Sequence, residues 1–413
     1  MMCNDSTFEK LLALLRRVSE HSEFYKQKYH REGFDIREIQ TPEDIAKIPL
    51  TTKNELRDAY PLGLQAVPEE EIVRIHSSSG TTGLPIIMPY TKKDVEDWAI
   101  QFERCYRMAG VTDLDRIQIT PGYGLWTAGI GFQAGAERLG AMVVPMGPGN
   151  TPKQIQMMQD LKTTVLASTS SYALLLAEEI MSKGLRDTIH LKKGIIGSER
   201  WGDKMRARIH QELGIELYDI YGLTEAYGPG ISISCQYDQG MHYWDDYLYF
   251  EIIDSATGQV LPEGELGELV ITTLVKEGSP LIRYRTHDIT RLIPGPCPCG
   301  SPYPRHDRIV GRTDDMVKVK GVNIFPGQID SLLSSLPGAS SEYQVHIDHF
   351  NGKDRLRLRF EKEPEVDAKT LEDTVVRSFK NRIGITIAAE AVEIGVLPRS
   401  EKKSKRIFDE RYA

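Results

Sequence analysis

His76–Pro85 reads HSSSGTTGLP, five hydroxyl side chains and two glycines within ten residues. Small side chains, O–H donors and a backbone that can be approached closely suit a loop that cradles phosphate oxygens. The GK[ST] ending of the common triphosphate loop is missing, and no helix pattern opens directly behind it. The flanks EIVRIH and PIIMPY are short, rich in β-branched residues and bounded by turn formers, so the loop is predicted at the tip of a strand pair. From the loop alone, a phosphate flap and a flexible polar turn remain equal alternatives.

The surroundings narrow the choice. A chain of 413 residues suggests two or three domains, and a formal charge of −8 with 51 Lys and Arg against 59 Asp and Glu excludes a nucleic-acid-binding surface. The first residues, MMCNDSTFEKLLALLRRVSEHSEFYKQ, carry a helical period rather than a basic region and apolar run, and no stretch reaches transmembrane length. A cytoplasmic protein without a membrane partner is expected. Five cysteines form no disulfide framework.

Strand-like DRIQITP, GAMVVPM, TTVLAST and KKGIIGS alternate with helix-like GIGFQAGAERLG, YALLLAEEIMSKG and WGDKMRARIHQELG, which predicts a layered α/β domain with parallel pairing. From about residue 245 the rhythm changes to YLYFEIID, GELVITTL and TRLIP, short strands on Gly and Pro turns. After Arg312 it becomes β-α-ββ-α-β through MVKVKGVNIF, GQIDSLLSSL, YQVHIDHFNGKDRLRLRFEK, DAKTLEDTVVRSFKN and AAEAVEIGVL, with Asn351-Gly352 closing the central hairpin. The expected organisation is a large domain over 1–311 with a β-rich part from about 231, and a small α+β domain over 312–413.

Four further segments join the loop: YDIYGLTEAYGPG (218–230), YRTHD (284–288), GRTDDMVKVKGVNIFP (311–326) and LPRSEKKSKR (397–406). In this order and spacing they resemble the adenylate-forming superfamily, and most closely its phenylacetate-coenzyme A ligase family, over nearly the whole chain. The resemblance implies a mobile small domain and two half-reactions: carboxylate plus ATP giving acyl-adenylate and pyrophosphate, then thiol attack giving a thioester and AMP. Ser77, Ser78, Ser79, Gly80, Thr81, Thr82 and Gly83 would close over the ATP phosphates, and Ser198, Glu199, Asp219, Tyr221 and Gly222 would complete the nucleotide site. By the same resemblance Thr224 meets phosphate, Glu225 holds Mg²⁺, Asp288 the ribose hydroxyls and Arg312 the ribose or α-phosphate side, with Asp314 as hinge and Lys403 steadying the adenylation transition state. Two positions depart from the family: Leu84 stands where many relatives have Lys, and Lys402 where they have Gly, which leaves open which lysine enters the site.

Tyr123, Trp126 and Phe132 among glycines, with Tyr227 and Pro229, would line an acyl pocket suited to a flat aryl or arylacetic acid. No Asp stands where an α-amine would be held. Coenzyme A is the implied acceptor, with a carrier-protein thiol or an amine as alternatives and a non-catalytic nucleotide-binding regulator as a third reading; a homodimer is one open assembly. Cys235 and His242 in CQYDQGMH, with Cys297 and Cys299 in PCPCG, compose a Cys₃His set for structural Zn²⁺, His306 or His287 being alternative fourth ligands. Ser168–Ser171 lacks a nucleophile elbow and reads as a helix cap.

Overall fold

The computed structural model of the chain describes residues 4–78, 84–125, 127–350, 353–401 and 405–411. It opens with helices α1 (Asp5–His21) and α2 (Glu23–Glu32), the first capped by the Asn4 side chain, which accepts from the Thr7 N–H at 2.8 Å. Leu11, Leu14, Leu15 and Val18 recur at helical spacing on the buried face of α1 and share a core with Leu274 and Ile282. Helix α3 (Lys53–Asp58) starts on a Thr52/Glu55 capping box. Strands β1 (Ile72–Ser77) and β2 (Ile87–Thr91) then pair antiparallel with Ser77 opposite Ile87, the hairpin expected from EIVRIH and PIIMPY. Ser79–Gly83 at its tip, like Trp126, lies outside the described residues.

Helix α4 (Lys92–Met108) follows, and then β3 (Arg116–Ile119), α5 (Ala128–Leu139), β4 (Met142–Pro145), α6 (Thr151–Asp160), β5 (Val165–Thr169), α7 (Ser170–Ser182), β6 (Lys193–Gly197), α8 (Asp203–Leu213) and β7 (Glu216–Leu223). The five strands β7-β6-β5-β3-β4 lie parallel in that order. β5 is buried at every position, which is why it reads as an unbroken run of apolar and small residues. Strands β8 (Gly228–Ser234) and β9 (Met241–Tyr243) continue the sheet antiparallel. Next come β10 (Leu248–Ile253), β11 (Gly267–Thr273), β12 (Tyr284–Thr290), β13 (Leu292–Ile293), β14 (Arg305–His306) and β15 (Gly311–Arg312). Of these, β14 and β13 complete a nine-stranded sheet, whereas β10-β11-β12-β15 form a separate antiparallel sheet of four.

The glycines of GIGFQAGAERLG have a packing reason. A Cβ on Gly131 would stand 2.3 Å from the Trp98 ring, and one on Gly135 2.3 Å from Phe102 Cβ, so α5 lies against α4 at a distance that only glycine allows. They serve helix contact rather than the floor of an aryl pocket.

The remaining chain forms the hairpin β16 (Val317–Val319) and β17 (Val322–Ile324), α9 (Pro326–Ser334), β18 (Ala339–Phe350), β19 (Lys353–Lys362), α10 (Ala368–Ile383), β20 (Ala388–Glu393) and β21 (Ile407–Asp409). It has its own core, in which Val345, Ile347, Leu356, Leu358 and Phe360 meet Leu332, Leu371, Val375 and Phe379. The expected β-α-ββ-α-β order holds with two differences: the first strand is a hairpin, β16–β17, that forms its own sheet, and β21 pairs parallel with β18, so the four-stranded sheet runs β20-β19-β18-β21. Among the described residues no helix is long and apolar enough to cross a membrane.

Two buried histidines make the fold sensitive to acid. Burial pushes the imidazoles of His76 and His306 down from 6.5 to about 4. Both are neutral when folded, so their contribution is complete above pH 6.5 and is lost as pH falls toward 4. The urea midpoint is expected to fall between pH 7 and pH 5, and His306→Gln should lose about 2 kcal/mol less stability over that interval than the wild type. Equal losses in the two proteins would refute this role.

Candidate functional site

Antiparallel pairing of β12 with β15 sets Asp288 directly opposite Arg312. Arg312 Nη1 donates to Asp288 Oδ1 at 2.6 Å, while its Nε and Nη2 grip Asp314 at 2.8 and 2.9 Å. Tyr221, near the end of β7, donates its hydroxyl to the other Asp288 oxygen at 2.6 Å. Burial raises the Asp288 pKa, and Arg312 and Tyr221 oppose that shift. Asp314, despite the cost of burial, is held below the ordinary carboxylate range by Arg312. Four residues from three distant motifs thus meet at the junction of the large and small domains, presenting a carboxylate, a guanidinium and an aromatic hydroxyl.

The turn after β7 carries Thr224 and Glu225. It begins with a register shift between Tyr221 and Gly222, and a Cβ on Gly222 would stand 2.0 Å from the Gly228 carbonyl oxygen, so only glycine fits. Glu225 is nearly buried, and Lys53 at the start of α3 brings its ammonium to 3.5 Å from Oε1. Thr224 Oγ1 lies 3.4 Å from Thr127 Oγ1, just ahead of α5. Beneath the turn, the fully buried Lys276 donates to the Ala226 carbonyl and lies 4.2 Å from the ring centre of Tyr90 and 5.2 Å from that of Tyr227. Burial pulls its ammonium down to about 7 against the attraction of Asp94 and Glu225.

Other expected site residues are engaged elsewhere. Ser77 Oγ donates to the Ser78 carbonyl at 2.9 Å and Ser78 Oγ accepts from the Ile86 N–H at 3.0 Å, so both close the base of the loop. Ser198, directly after β6, sits at φ 72, a left-handed conformation that costs a serine about 1 kcal/mol or more. Glu199 accepts from the N–H and hydroxyl of Ser171 at 2.8 and 2.9 Å, and Asp219 pairs with Arg206 at 2.9 Å. Thr169 caps α7, in agreement with the helix-cap reading of that segment.

Of the expected pocket wall, Tyr123 is partly buried, whereas Phe132 and Tyr227 turn into the core. Phe132 packs on Phe102 at 4.8 Å, Trp98 donates to the Pro229 carbonyl at 2.9 Å, and Tyr90 donates to the Tyr227 carbonyl at 3.0 Å. Trp98, Phe102 and Tyr106 recur every fourth residue along α4 and back this wall. Sequence reading missed them, although the spacing in DWAIQFERCY was visible. It also missed Lys53, Thr127 and Lys276. Lys402 and Lys403 lie outside the described residues.

The cysteine set converges. Ligand atoms of Cys235, His242, Cys297 and Cys299 all lie within 4.8 Å of one another. Cys235 Sγ stands 3.6 Å from Cys297 Sγ, and Cys299 Sγ 3.3 Å from His242 Nε2. An ion with metal–sulfur bonds of about 2.3 Å in a tetrahedron sets its sulfurs about 3.8 Å apart. His242 Nδ1 donates to the Tyr303 carbonyl at 2.8 Å, which leaves Nε2 free to ligate. Burial, and after it the neighbouring sulfurs, pushes the Cys235 thiol up to about 12, a cost that a bound cation reverses. Of the alternative ligands, His306 has both ring nitrogens occupied, by Ser232 and the Asp307 carbonyl, and His287, bonded to Thr313, is not in the group whose ligand atoms converge. The cluster fits a metal ion.

Residues 10–274 match the AMP-binding enzyme family and residues 321–411 the AMP-binding enzyme C-terminal domain. The fold is that of an adenylate-forming enzyme. Phenylacetate-coenzyme A ligase of Pseudomonas putida is 41% identical over 98% of this chain and 93% of its own, and that of Escherichia coli K12 is 39% identical over 98% and 94%. The chain belongs to the phenylacetate-coenzyme A ligase family. A 2-hydroxyisobutyryl-CoA ligase crystal structure in the postadenylation state superposes with a TM-score of 0.88 at 28% identity, covering 98% of this chain and 89% of that one. The same ligase in its thioesterification state gives 0.71.

Proposed function

We propose that the protein activates an arylacetic acid with ATP and transfers the acyl group to coenzyme A. The observation that carries this reading is full-length similarity to phenylacetate-coenzyme A ligases, at 41% identity, together with the convergence of Tyr221, Asp288, Arg312 and Asp314 about one junction. In the first step a carboxylate oxygen of the acid attacks the α-phosphorus of ATP and pyrophosphate leaves. In the second a coenzyme A thiolate attacks the acyl carbon and AMP leaves.

Asp288, oriented by Tyr221 and Arg312, accepts from the ribose hydroxyls. Lys53 supplies the cation that Leu84 does not, close enough to Glu225 to act on the same phosphates. Lys276 holds the Thr224–Glu225 turn through the Ala226 carbonyl. Mg²⁺, when bound at Glu225, would offset phosphate charge. The role of Lys403, the hinge at Asp314 and the division of the chain near residue 312 are parts of the same proposal, supported by the two separate cores. An acid panel with ATP should give acyl-adenylate and pyrophosphate for arylacetic acids, with thioester only when coenzyme A is added. Adenylation of amino acids instead, or thioester on a carrier protein but not on coenzyme A, would contradict the reading.

The Cys₃His set is proposed to hold one structural Zn²⁺. Four protein ligands leave no position for water, so the ion supports the fold rather than the chemistry. It ties the turn after β8 to the loop between β13 and β14, closing a long stretch of chain. Purified protein should contain about one zinc per chain, and Cys297→Ser should lose metal and thermal stability before substrate affinity changes. Zinc-free wild type, or metal retained in both the Cys297 and Cys299 variants, would refute the site.

A further inference from the structure

The small domain is held against α7 and α8 of the large one by a cluster of charges. Arg399 is its centre. Nε and Nη2 grip Glu178 of α7 at 2.9 and 2.7 Å, and Nη1 and Nη2 grip Glu361 of β19 at 2.9 Å each. Nη1 also donates to the Leu397 carbonyl at 3.2 Å. Nearby, Arg200 reaches Asp330 of α9 at 3.2 Å and Lys204 donates to the Leu336 carbonyl at 2.7 Å.

These pairs differ in kind. Glu361 is fully buried, accepts from the N–H groups of Gly395 and Leu397 at 2.9 and 3.2 Å, and lies on the same domain as Arg399. That pair shapes the loop leading into Glu401 and moves with the small domain as a unit. Glu178 belongs to the large domain and has a second partner there, Arg208 of α8, at 2.8 Å. When the domains part, Arg399 keeps Glu361 and Glu178 keeps Arg208. Neither side strands an unpaired buried charge, the event that makes breaking a buried ion pair prohibitive. Only the Glu178–Arg399 fork opens.

We infer that Glu178 and Arg399 form a releasable latch that holds the small domain in the orientation serving acyl-adenylate formation, with Arg399 positioning the terminal lysine-bearing segment. This rests on the two-step reading above. The chain superposes at 0.88 on the related ligase in its postadenylation state and at 0.71 on the thioesterification state, so the described contacts belong to the first arrangement. Arg399 precedes the lysine run by three residues and Arg406 follows it, held within the small domain by Glu342 at 3.1 Å and by Asp330 at 3.3 Å, the latter also paired with Arg200 of the large domain.

The test uses the full chain with Glu178→Gln and Glu178→Lys, the second placing a cation between Arg399 and Arg208. Acyl-adenylate formation from phenylacetate and ATP should fall in the order wild type, Gln, Lys, by about tenfold for Lys. Thioester formation from preformed phenylacetyl adenylate and coenzyme A should stay level or rise. Equal loss of both half-reactions, or no loss of the first, overturns the latch. Hydrogen exchange separates this outcome from failure of the functional reading, because it needs no turnover. In Glu178→Lys, amides of α8 and α9 at the interface should exchange faster while those of β18 and β19 do not change. Unchanged exchange at α9, or faster exchange throughout, refutes the latch whatever the substrate.

Discussion

The pairing of Asp288 with Arg312 across two antiparallel strands is the constraint on which the site depends. Asp288 is buried deeply enough that its charge is costly without a partner, and Arg312 and Tyr221 together make it tolerable. Arg312 is bound at the same time to Asp314, two residues further along the chain and on the side of the small domain. In the proposed reading, nucleotide recognition and domain orientation share this one guanidinium. If the chain turns at Asp314 and Asp288 holds the ribose, as proposed, rotation there has to exchange those hydrogen bonds, which would couple the hinge to the ribose carboxylate.

Charge around Glu225 is arranged from beneath and from the side. Lys276, buried on the faces of Tyr90 and Tyr227, binds the backbone of the turn, and Lys53 approaches from α3. In the proposed reading, Lys53 of α3 offsets the absence of a lysine after the loop glycine, where Leu84 stands.

What the sequence disclosed and what it hid follow physical lines. Motifs in turns between strands were legible, because Gly222, Tyr221 and the β12–β15 residues are short-range solutions to backbone geometry. Four of the five parallel strands, β3 to β6, announced themselves as short runs rich in β-branched residues, whereas β7, with alternating exposure, did not. β21 did not, being three residues beside a lysine run, and its partner β18 is about sixty positions upstream. Lys53, Lys276 and Thr127 act through contacts far apart in sequence and sit in segments with no distinctive pattern. The glycines of α5 were visible but had two explanations, an aryl pocket or helix packing, and only the approach of Trp98 and Phe102 decides between them. The cysteine pattern pointed to a set of side chains that does converge, but that His242 rather than His306 or His287 joins it is decided by the fold, which brings its ligand atom to the three sulfurs.

The most direct test of the shared guanidinium and carboxylate is calorimetric titration of ATP against 2′,3′-dideoxy-ATP in wild type and Asp288→Asn. The wild type should bind the dideoxy nucleotide about tenfold or more weakly, since lost charge-assisted hydrogen bonds each count for about 1.5–3 kcal/mol, whereas Asp288→Asn should bind the two nucleotides with nearly equal affinity. If Asp288→Asn discriminates as strongly as the wild type, the ribose is held elsewhere and the central role given to Asp288 and Arg312 is wrong.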